Sequence, residues 1–226
     1  MEADVIVWDG GNNDFPFLHP DLHIVVADGL RPDDAQGFHP GEAVLRTADI
    51  VVVNKVDVAT PAQVERAVEI VPGVNAHASI VRAASPVRLD DPDAVRGRRV
   101  LVIEDGPTIT HGQMPWGAGF VAAHAAGAVI VDPRPALPTV LQQAFAEYPD
   151  IGPVLPAIGY SAAQVAALRT TIERVDADVV VAATPVDLAR LLAIDTPIIR
   201  ARYEFADTAE PGLSDLVDDW VRVRWR

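Results

Sequence analysis

Short runs of β-branched and other apolar residues recur along the chain, separated by stretches with helical spacing. The predicted strands cover residues 5–8, 23–27, 50–54, 79–82, 100–103, 129–131, 154–155, 179–182 and 198–203. Most of these runs are continuously apolar rather than alternating, which is typical of strands covered on both faces. The pattern predicts an α/β architecture with a mostly parallel, doubly wound sheet.

Helix starts are marked by hydroxyl residues between the strand-like runs. Thr60 and Thr184 are each followed by a proline, which is favoured in the first turn of a helix. Ser161 and Gln164 have the spacing of a capping box. These signals predict helices that begin after residues 60, 161 and 184, each preceding or following a predicted strand.

The segment 85–99 is the best candidate for an internal boundary because it is polar and contains two prolines. A chain of 226 residues has room for one large domain or two small ones. We therefore predict a first unit over 1–84, a linker over 85–99 and a second α/β unit over 100–226.

Composition excludes several classes of protein. No apolar run approaches the length of about 18–20 residues that spans a membrane, and the first ten residues do not resemble a signal peptide. The sequence has no cysteine, which favours a cytoplasmic location. The formal net charge of −14 argues against nucleic acids or anionic membranes as partners.

The first candidate site lies in the stretch DVIVWDGGNNDFPF. A predicted strand ends at Asp9, where a carboxylate could hold Mg²⁺ as in a Walker-B element. Gly10 and Gly11 follow, and their lack of a side chain lets the backbone approach phosphate oxygens. The alternative is an ordinary turn after a strand.

The second candidate site is the tetrapeptide Asn54-Lys55-Val56-Asp57, which follows the apolar run DIVVV and contains the only lysine among 18 basic residues. Guanine-nucleotide-binding proteins carry an Asn-Lys-x-Asp loop in this context. There, the carboxylate accepts two hydrogens from the base, the lysine stem lies along the ring and the asparagine secures a neighbouring loop. The alternative is a solvated turn, and the choice between ATP and GTP stays open.

The third candidate site spans residues 102–128, where a predicted strand ends at Glu104 and a glycine-rich loop leads into a helix. Unpaired amides at a helix N-terminus suit a phosphate or a carboxylate, and a histidine in such a loop could donate to an anion or pass a proton. The candidates for binding the anion are Thr108, Thr110, His111, Gly117 and Gly119.

The fourth candidate is Arg134, which stands between two prolines in VDPRPALP. The prolines restrict the backbone and would hold the guanidinium in place for bidentate phosphate binding. The alternative is a salt bridge to one of the many carboxylates. The candidate catalytic residues are His111, Arg134 and Asp9.

The sequence contains no Gly-x-x-x-x-Gly-Lys-Ser/Thr phosphate loop, and its single lysine already belongs to the second site. A strand of the Walker-B type and a base-binding loop without a phosphate loop make half of a nucleotide site. The predicted fold is therefore the half of a P-loop-NTPase-like domain that lacks the phosphate loop, followed by a second α/β unit.

The sequence resembles the cyclic 2,3-diphosphoglycerate synthetases and their bacterial relatives labelled as putative GTPases. The resemblance runs from about residue 4 to about residue 204, on the motifs DVIVWDGGNNDFPF, HPDLHIVVAD, HPGEAVLRTADIVVVNKVD, VLVIEDGPTITHGQM, GAGFVAA, VDPRP, YPDIGPVLPAIGY and VVAATPVDLARLL. It implies an enzyme that uses ATP and Mg²⁺ to close a phosphoanhydride on a phosphorylated small acid.

Family members are about twice as long, so the resemblance implies that this chain is the carboxyl-terminal half. It also implies a partner, either the amino-terminal half or a second copy of the chain. The matching positions assign Mg²⁺ to Asp9, the base to Asn54, Lys55 and Asp57, and the acid to Thr108, Thr110, His111 and Arg134. Gln113 and the sequence ALPTV after VDPRP depart from the family pattern.

The leading interpretation is therefore part of a phosphoanhydride-forming synthetase that is inactive as an isolated chain. One alternative is a G-protein-like switch or metallochaperone, which is disfavoured by the absence of cysteine and of a histidine cluster. The other is a non-catalytic domain that binds a small anion. The apolar strands further predict an exposed apolar surface and self-association of the isolated chain.

Overall fold

The computed structural model describes residues 3–11, 17–110, 114–157 and 159–224, with the side chains of all of these except 107 and 108. The chain divides into two compact units. The first comprises the residues up to Pro86 together with those from Glu204 onward, and the second comprises Val87–Tyr203. The second unit is thus inserted between two segments of the first.

The first unit contains one four-stranded sheet. Its strands are β1 (Ile24–Asp28), β2 (Ile50–Asn54), β3 (Ser79–Ala84) and β10 (Ala206–Asp207). Its helices are α1 (Asp34–Gly37), α2 (Gly41–Arg46), α3 (Pro61–Val74) and α9 (Leu213–Arg224). The strand order is β1-β2-β3-β10, and only β10 runs antiparallel to its neighbour.

Helices cover the two faces of this sheet. On one face Val51 packs with Leu45 of α2 and Ile70 of α3. On the other face Ile50, Val52, Val81 and Ala83 pack with two leucines of α9. The apolar residues of β2 are therefore buried on both sides, as their continuous run predicts.

The second unit contains a larger sheet. Its strands are β4 (Val87–Leu89), β5 (Arg99–Asp105), β6 (Val129–Ile130), β7 (Leu155–Ala157), β8 (Val179–Ala183) and β9 (Ile198–Tyr203). Its helices are α4 (Gly106–Thr110), α5 (Ala118–Ala125), α6 (Thr139–Glu147), α7 (Ala162–Arg174) and α8 (Leu188–Leu192), with a 3₁₀ turn over Arg134–Ala136.

The order in this sheet is β4-β9-β8-β5-β6, and β7 also pairs with β5. All pairs are parallel except β4 with β9. One face of β5 and β8 packs on α6, α7 and α8 through Leu101, Ile103 and Val180. The opposite face packs on α5 through Val102 and Val181. Both units confirm the predicted α/β fold with mostly parallel sheets.

Several local predictions were wrong. Residues 5–8 form no strand, because no described strand lies beside them to pair with their backbone N–H and C=O groups. The predicted linker 85–99 contains β4, which pairs with β9 more than 100 residues later. The described residues from 204 to 224 belong to the first unit rather than the second.

Two helix starts also differ from the sequence prediction. The helix expected after Thr184 begins at Leu188, because Asp187 caps it by accepting a hydrogen bond from the Arg190 N–H. The loop expected at 106–110 is the short helix α4. Within the described ranges, none of the helices is long and apolar enough to cross a membrane.

Candidate functional site

The loop after β2 holds the Asn-Lys-x-Asp tetrapeptide at the carboxyl end of the parallel strands. Lys55 has a φ of 62°, and its carbonyl accepts the N–H groups of Val58 at 3.2 Å and Ala59 at 3.0 Å. The loop then enters α3, where Thr60 and Gln63 form a complete capping box. Ligands of open α/β sheets bind at this edge of the sheet.

Lys55 is held by the neighbouring strand. Its Nζ donates to Oδ2 of Asp28 over 2.9 Å, and Asp28 is the last residue of β1, in register with Asn54. Burial would raise the pKa of the Asp28 carboxyl. The hydrogen bond and the charge of Lys55, with smaller effects of the Leu30 N–H and of Arg31, outweigh burial and lower that pKa.

Asp57 connects the same loop to β3. Its Oδ1 accepts the N–H of Ser85 over 3.1 Å, and Ser85 directly follows β3. In the described part of the chain no donor contacts Oδ2, and the side chain is exposed. Lys55 and Asp57 thus connect this loop to the ends of β1 and β3, and Asp57 keeps one oxygen open to a ligand.

Asn54 has a buried polar atom without a partner. Its Oδ1 is the one buried side-chain oxygen or nitrogen, among the described residues, that makes no hydrogen bond. Buried polar atoms normally find a partner, because leaving one unpaired costs about 1–3 kcal/mol. This oxygen therefore marks a position where an N–H or O–H donor fits.

The glycine-rich segment that was expected to hold Mg²⁺ is irregular. Asp9 and Gly10 are exposed and lie outside any strand. Nor do the described residues contain a group of three or more His, Asp or Glu side chains arranged to hold a metal ion. The role of Asp9 in holding Mg²⁺ therefore stays a prediction.

In the second unit, Glu104 near the end of β5 takes the position expected for a bound anion. Its carboxylate is buried and accepts three backbone N–H groups at the start of α5. Those of Gly117 and Phe120 reach Oε1 over 3.1 and 2.7 Å, and that of Gly119 reaches Oε2 over 3.3 Å. Burial raises the pKa of Glu104 despite these bonds.

The amides of Gly117 and Gly119 are therefore already occupied. A Cβ at Gly117 would lie 2.6 Å from Oε2 of Glu104, and one at Gly119 would lie 2.7 Å from the Cβ of Ala183. The glycines let the helix N-terminus approach an internal carboxylate. An external anion would have to displace that carboxylate to reach these N–H groups.

Of the remaining candidate residues in this loop, the structure describes the side chain of Thr110 only. Thr110 is buried in α4 and its hydroxyl donates to the Gly106 carbonyl over 2.9 Å. The side chain of Thr108 and all of His111 lie outside the described residues. Their roles in binding an acid stay predictions.

Arg134 is exposed, and its guanidinium contacts other residues of the second unit. Its Nη1 lies 2.6 Å from Oδ2 of Asp132, its Nη2 donates to the Ile151 carbonyl, and its guanidinium lies 5.3 Å from the centre of the Phe145 ring. This is the salt bridge that stood as the alternative to phosphate binding. In the described structure Arg134 connects the 3₁₀ turn to the loop before β7.

Three polar contacts have no counterpart in the sequence prediction. Asp28 and Glu104 each stand at or near the end of a strand, a position that points to the carboxyl edge, although nothing local identifies their partners. The hydroxyl groups of Tyr160 and Thr184 lie 2.8 Å apart. The signal that was available is the placement of polar residues directly after apolar runs.

Comparison with known proteins changes the interpretation of the sequence. No family model matches the chain. The arginine synthetase ArcE of Thermococcus kodakarensis is 46% identical to it over 222 residues, which is 98% of this chain and 50% of that protein. The resemblance to cyclic 2,3-diphosphoglycerate synthetases was therefore a wrong assignment. The chain is similar over nearly its whole length to a protein named as an arginine synthetase, and it spans about half the length of that relative.

Proposed function

We propose that this chain is part of a nucleotide-dependent synthetase that forms arginine. The observation that carries the proposal is the 46% identity over 98% of the chain to a protein named arginine synthetase. At this identity over 222 residues the two proteins share their fold in the matched half. In this proposal the enzyme forms arginine rather than a cyclic phosphoanhydride of a phosphorylated acid.

The loop after β2 supplies the nucleotide contacts in this proposal. The open Oδ2 of Asp57 is suited to accept N–H groups of a base, and the Lys55 stem extends from the same turn toward Asp28. A carboxylate that meets two N–H donors distinguishes guanine from adenine, because adenine leaves part of it unpaired. The nucleotide is ATP or GTP, and Mg²⁺ accompanies its phosphates.

The charge of the protein supports a cationic product. The chain has 32 acidic and 18 basic residues, for a net charge of −14. A negative protein attracts a guanidinium compound, whereas an anionic ligand such as the nucleotide needs local amide or cationic groups to bind. The amides at the start of α5, which were candidates for binding an anionic substrate, are occupied by Glu104.

The test is arginine-dependent formation of a nucleoside triphosphate. This chain is joined, in the relative's own order, to the half of the T. kodakarensis protein that it does not match. The fusion is incubated with L-arginine, Mg²⁺ and either ADP or GDP with phosphate, or AMP or GMP with pyrophosphate. A synthetase working in reverse consumes its product, so ATP or GTP should accumulate only with arginine, as measured by chromatography.

Two controls make the result specific. L-lysine in place of L-arginine should give no triphosphate. Asp57→Ala should raise the KM for the nucleotide at least tenfold and leave the KM for arginine within twofold, whereas Asp219→Ala, at an exposed carboxylate of α9, should change neither. A folded fusion that forms no triphosphate with arginine under any of these conditions would show the proposal to be wrong.

A further inference from the structure

The outer strand of the first sheet, β1, has exposed apolar side chains, whereas those of the neighbouring strand β2 are buried. The side chains of Ile24 and Val26 in β1 lie in register with Ile50 and Val52 in β2, so these four point to the same face. Val52 is 1% exposed under α9, whereas Val26 is 65% exposed. α9 thus covers Val52 but leaves most of the Val26 side chain uncovered.

In the described part of the chain the outer edge of β1 has no partner strand, because β1 pairs only with β2. Natural sheets guard such edges with charged residues, proline or bulges. The run Ile24-Val25-Val26-Ala27 has none of the charged or proline guards, and parallel sheets are normally covered on both sides.

Asn54 gives a second, independent observation on the same face. It follows Ile50 and Val52 by strand alternation, and its buried Oδ1 lacks a donor within the described structure. The segment 5–8 adds a third, because its apolar residues are exposed, with Val7 at 88%. Apolar side chains, a bare strand edge and an unpaired acceptor thus occur together in the first unit.

We propose that β1 is a docking edge for a β-strand supplied by the polypeptide that corresponds to the other half of the arginine synthetase. The added strand pairs with the free edge of β1, and the chain that follows it packs over Ile24 and Val26 and donates a hydrogen bond to Asn54. The proposal rests on the comparison and the exposed edge, and it holds whether or not arginine is the product.

The length of the T. kodakarensis protein is the reason for choosing its unmatched half as the occupant of this edge. The matched region is 50% of that protein, so it contains about as much chain again. The additional chain of that protein is the material available to cover the edge of β1. A second copy of this chain is the competing occupant, and the experiment distinguishes the two.

The absence of cysteine permits a direct test. Val26→Cys places one thiol on the exposed face of β1, and Val223→Cys places one at a 78% exposed position of α9 as a matched control. Each variant is prepared in this chain alone and in the fusion with the unmatched half of the T. kodakarensis protein. The rate of labelling by a small maleimide and the hydrogen exchange of residues 24–28 are measured in both.

The fusion should slow labelling at position 26 at least tenfold, leave position 223 within twofold, and protect the amides of 24–28. Asn54→Leu, which removes the acceptor, should reduce that protection, and Arg174→Leu on α7 should not. Equal labelling and exchange in both proteins would overturn the proposal. So would labelling at position 26 that slows as the isolated chain is concentrated, because a second copy would then cover the edge.

Discussion

Lys55 and Asp28 connect the base-binding loop to the neighbouring strand across a 2.9 Å hydrogen bond. Lys55 is the only lysine of the chain and takes a left-handed φ of 62°. A side chain that is held from both its backbone and its ammonium group is positioned before any ligand arrives. The loop is therefore preorganised by contacts that lie entirely within the first unit.

The Lys55–Asp28 pair should show measurable coupling. In a double-mutant cycle with Lys55→Met and Asp28→Asn, we expect a coupling free energy of about 0.5–1 kcal/mol at neutral pH, because the pair is only partly exposed. The same cycle on Arg66 and Asp33, which are more exposed, should give a value near zero. Chemical denaturation measures both.

The pH dependence of that coupling has a defined sign. The pKa of Asp28 is lowered in the folded protein, so its contribution to stability is present above the ordinary aspartate pKa of 3.8 and is lost as the pH falls through the folded pKa. Asp28→Asn should therefore remove part of the acid destabilisation. A coupling energy that is unchanged well below pH 3.8 would contradict the ion pair.

Glu104 should stabilise the second unit through the start of α5. Glu104→Ala removes the acceptor of three backbone N–H groups in a buried site, so we expect a loss of at least about 2 kcal/mol in the free energy of unfolding. Glu65→Ala, on the exposed face of α3, should lose less than about 1 kcal/mol because its salt bridge with Arg82 is exposed.

The contribution of Glu104 to stability should depend on pH in the direction opposite to that of Asp28. Its folded pKa is raised above 4.5, so its stabilising contribution is full below about pH 4.5 and is lost as the pH rises through the folded pKa. Relative to Glu104→Gln, the natural protein should lose stability across that window as the pH rises. A difference that grows with pH would mean that the three N–H groups outweigh burial.

The elements that the sequence predicts best are those with strong local signals. The bounds of β2 and β9 match the predicted runs 50–54 and 198–203, and the capping box at Ser161 starts α7. The elements that it misses depend on distant partners. The segment 5–8 has the composition of a strand but no described neighbour, and β4 is a strand only because it pairs with β9.

The candidate sites also divide into those set by local signals and those that depend on distant partners. The Asn-Lys-x-Asp loop lies at the predicted strand end because strand, turn and helix cap are all local features. The occupation of the Gly117 and Gly119 amides by Glu104 depends on contacts across 13 and 15 residues, which spacing alone does not reveal. A glycine-rich helix start looks the same in sequence whether its partner is internal or a ligand.

Gly119 and Gly73 should respond in opposite directions to alanine. A Cβ at Gly119 would lie 2.7 Å from the Cβ of Ala183, so Gly119→Ala should lower stability by about 1–3 kcal/mol. Nothing lies within 4 Å of a Cβ at Gly73, which belongs to α3, so Gly73→Ala should raise stability by about 0.5–1 kcal/mol. Thermal unfolding of the two variants checks both signs, and a tolerated Gly119→Ala would contradict the close approach.

The isolated chain should bind ATP and GTP weakly. The base loop offers Asp57 and Lys55, but the sequence has no phosphate loop, so the triphosphate lacks the amide cradle and lysine that such a loop supplies. Each charge-assisted hydrogen bond that is missing contributes about 1.5–3 kcal/mol, and losing three of them weakens binding by at least about a thousandfold. We expect calorimetry on this chain to give a Kd in the millimolar range or no measurable heat, with Mg²⁺ present. A micromolar Kd for either nucleotide would show that this chain contains a complete nucleotide site, and the loops around Gly10 and Gly11 would then be the first place to look for the phosphate contacts.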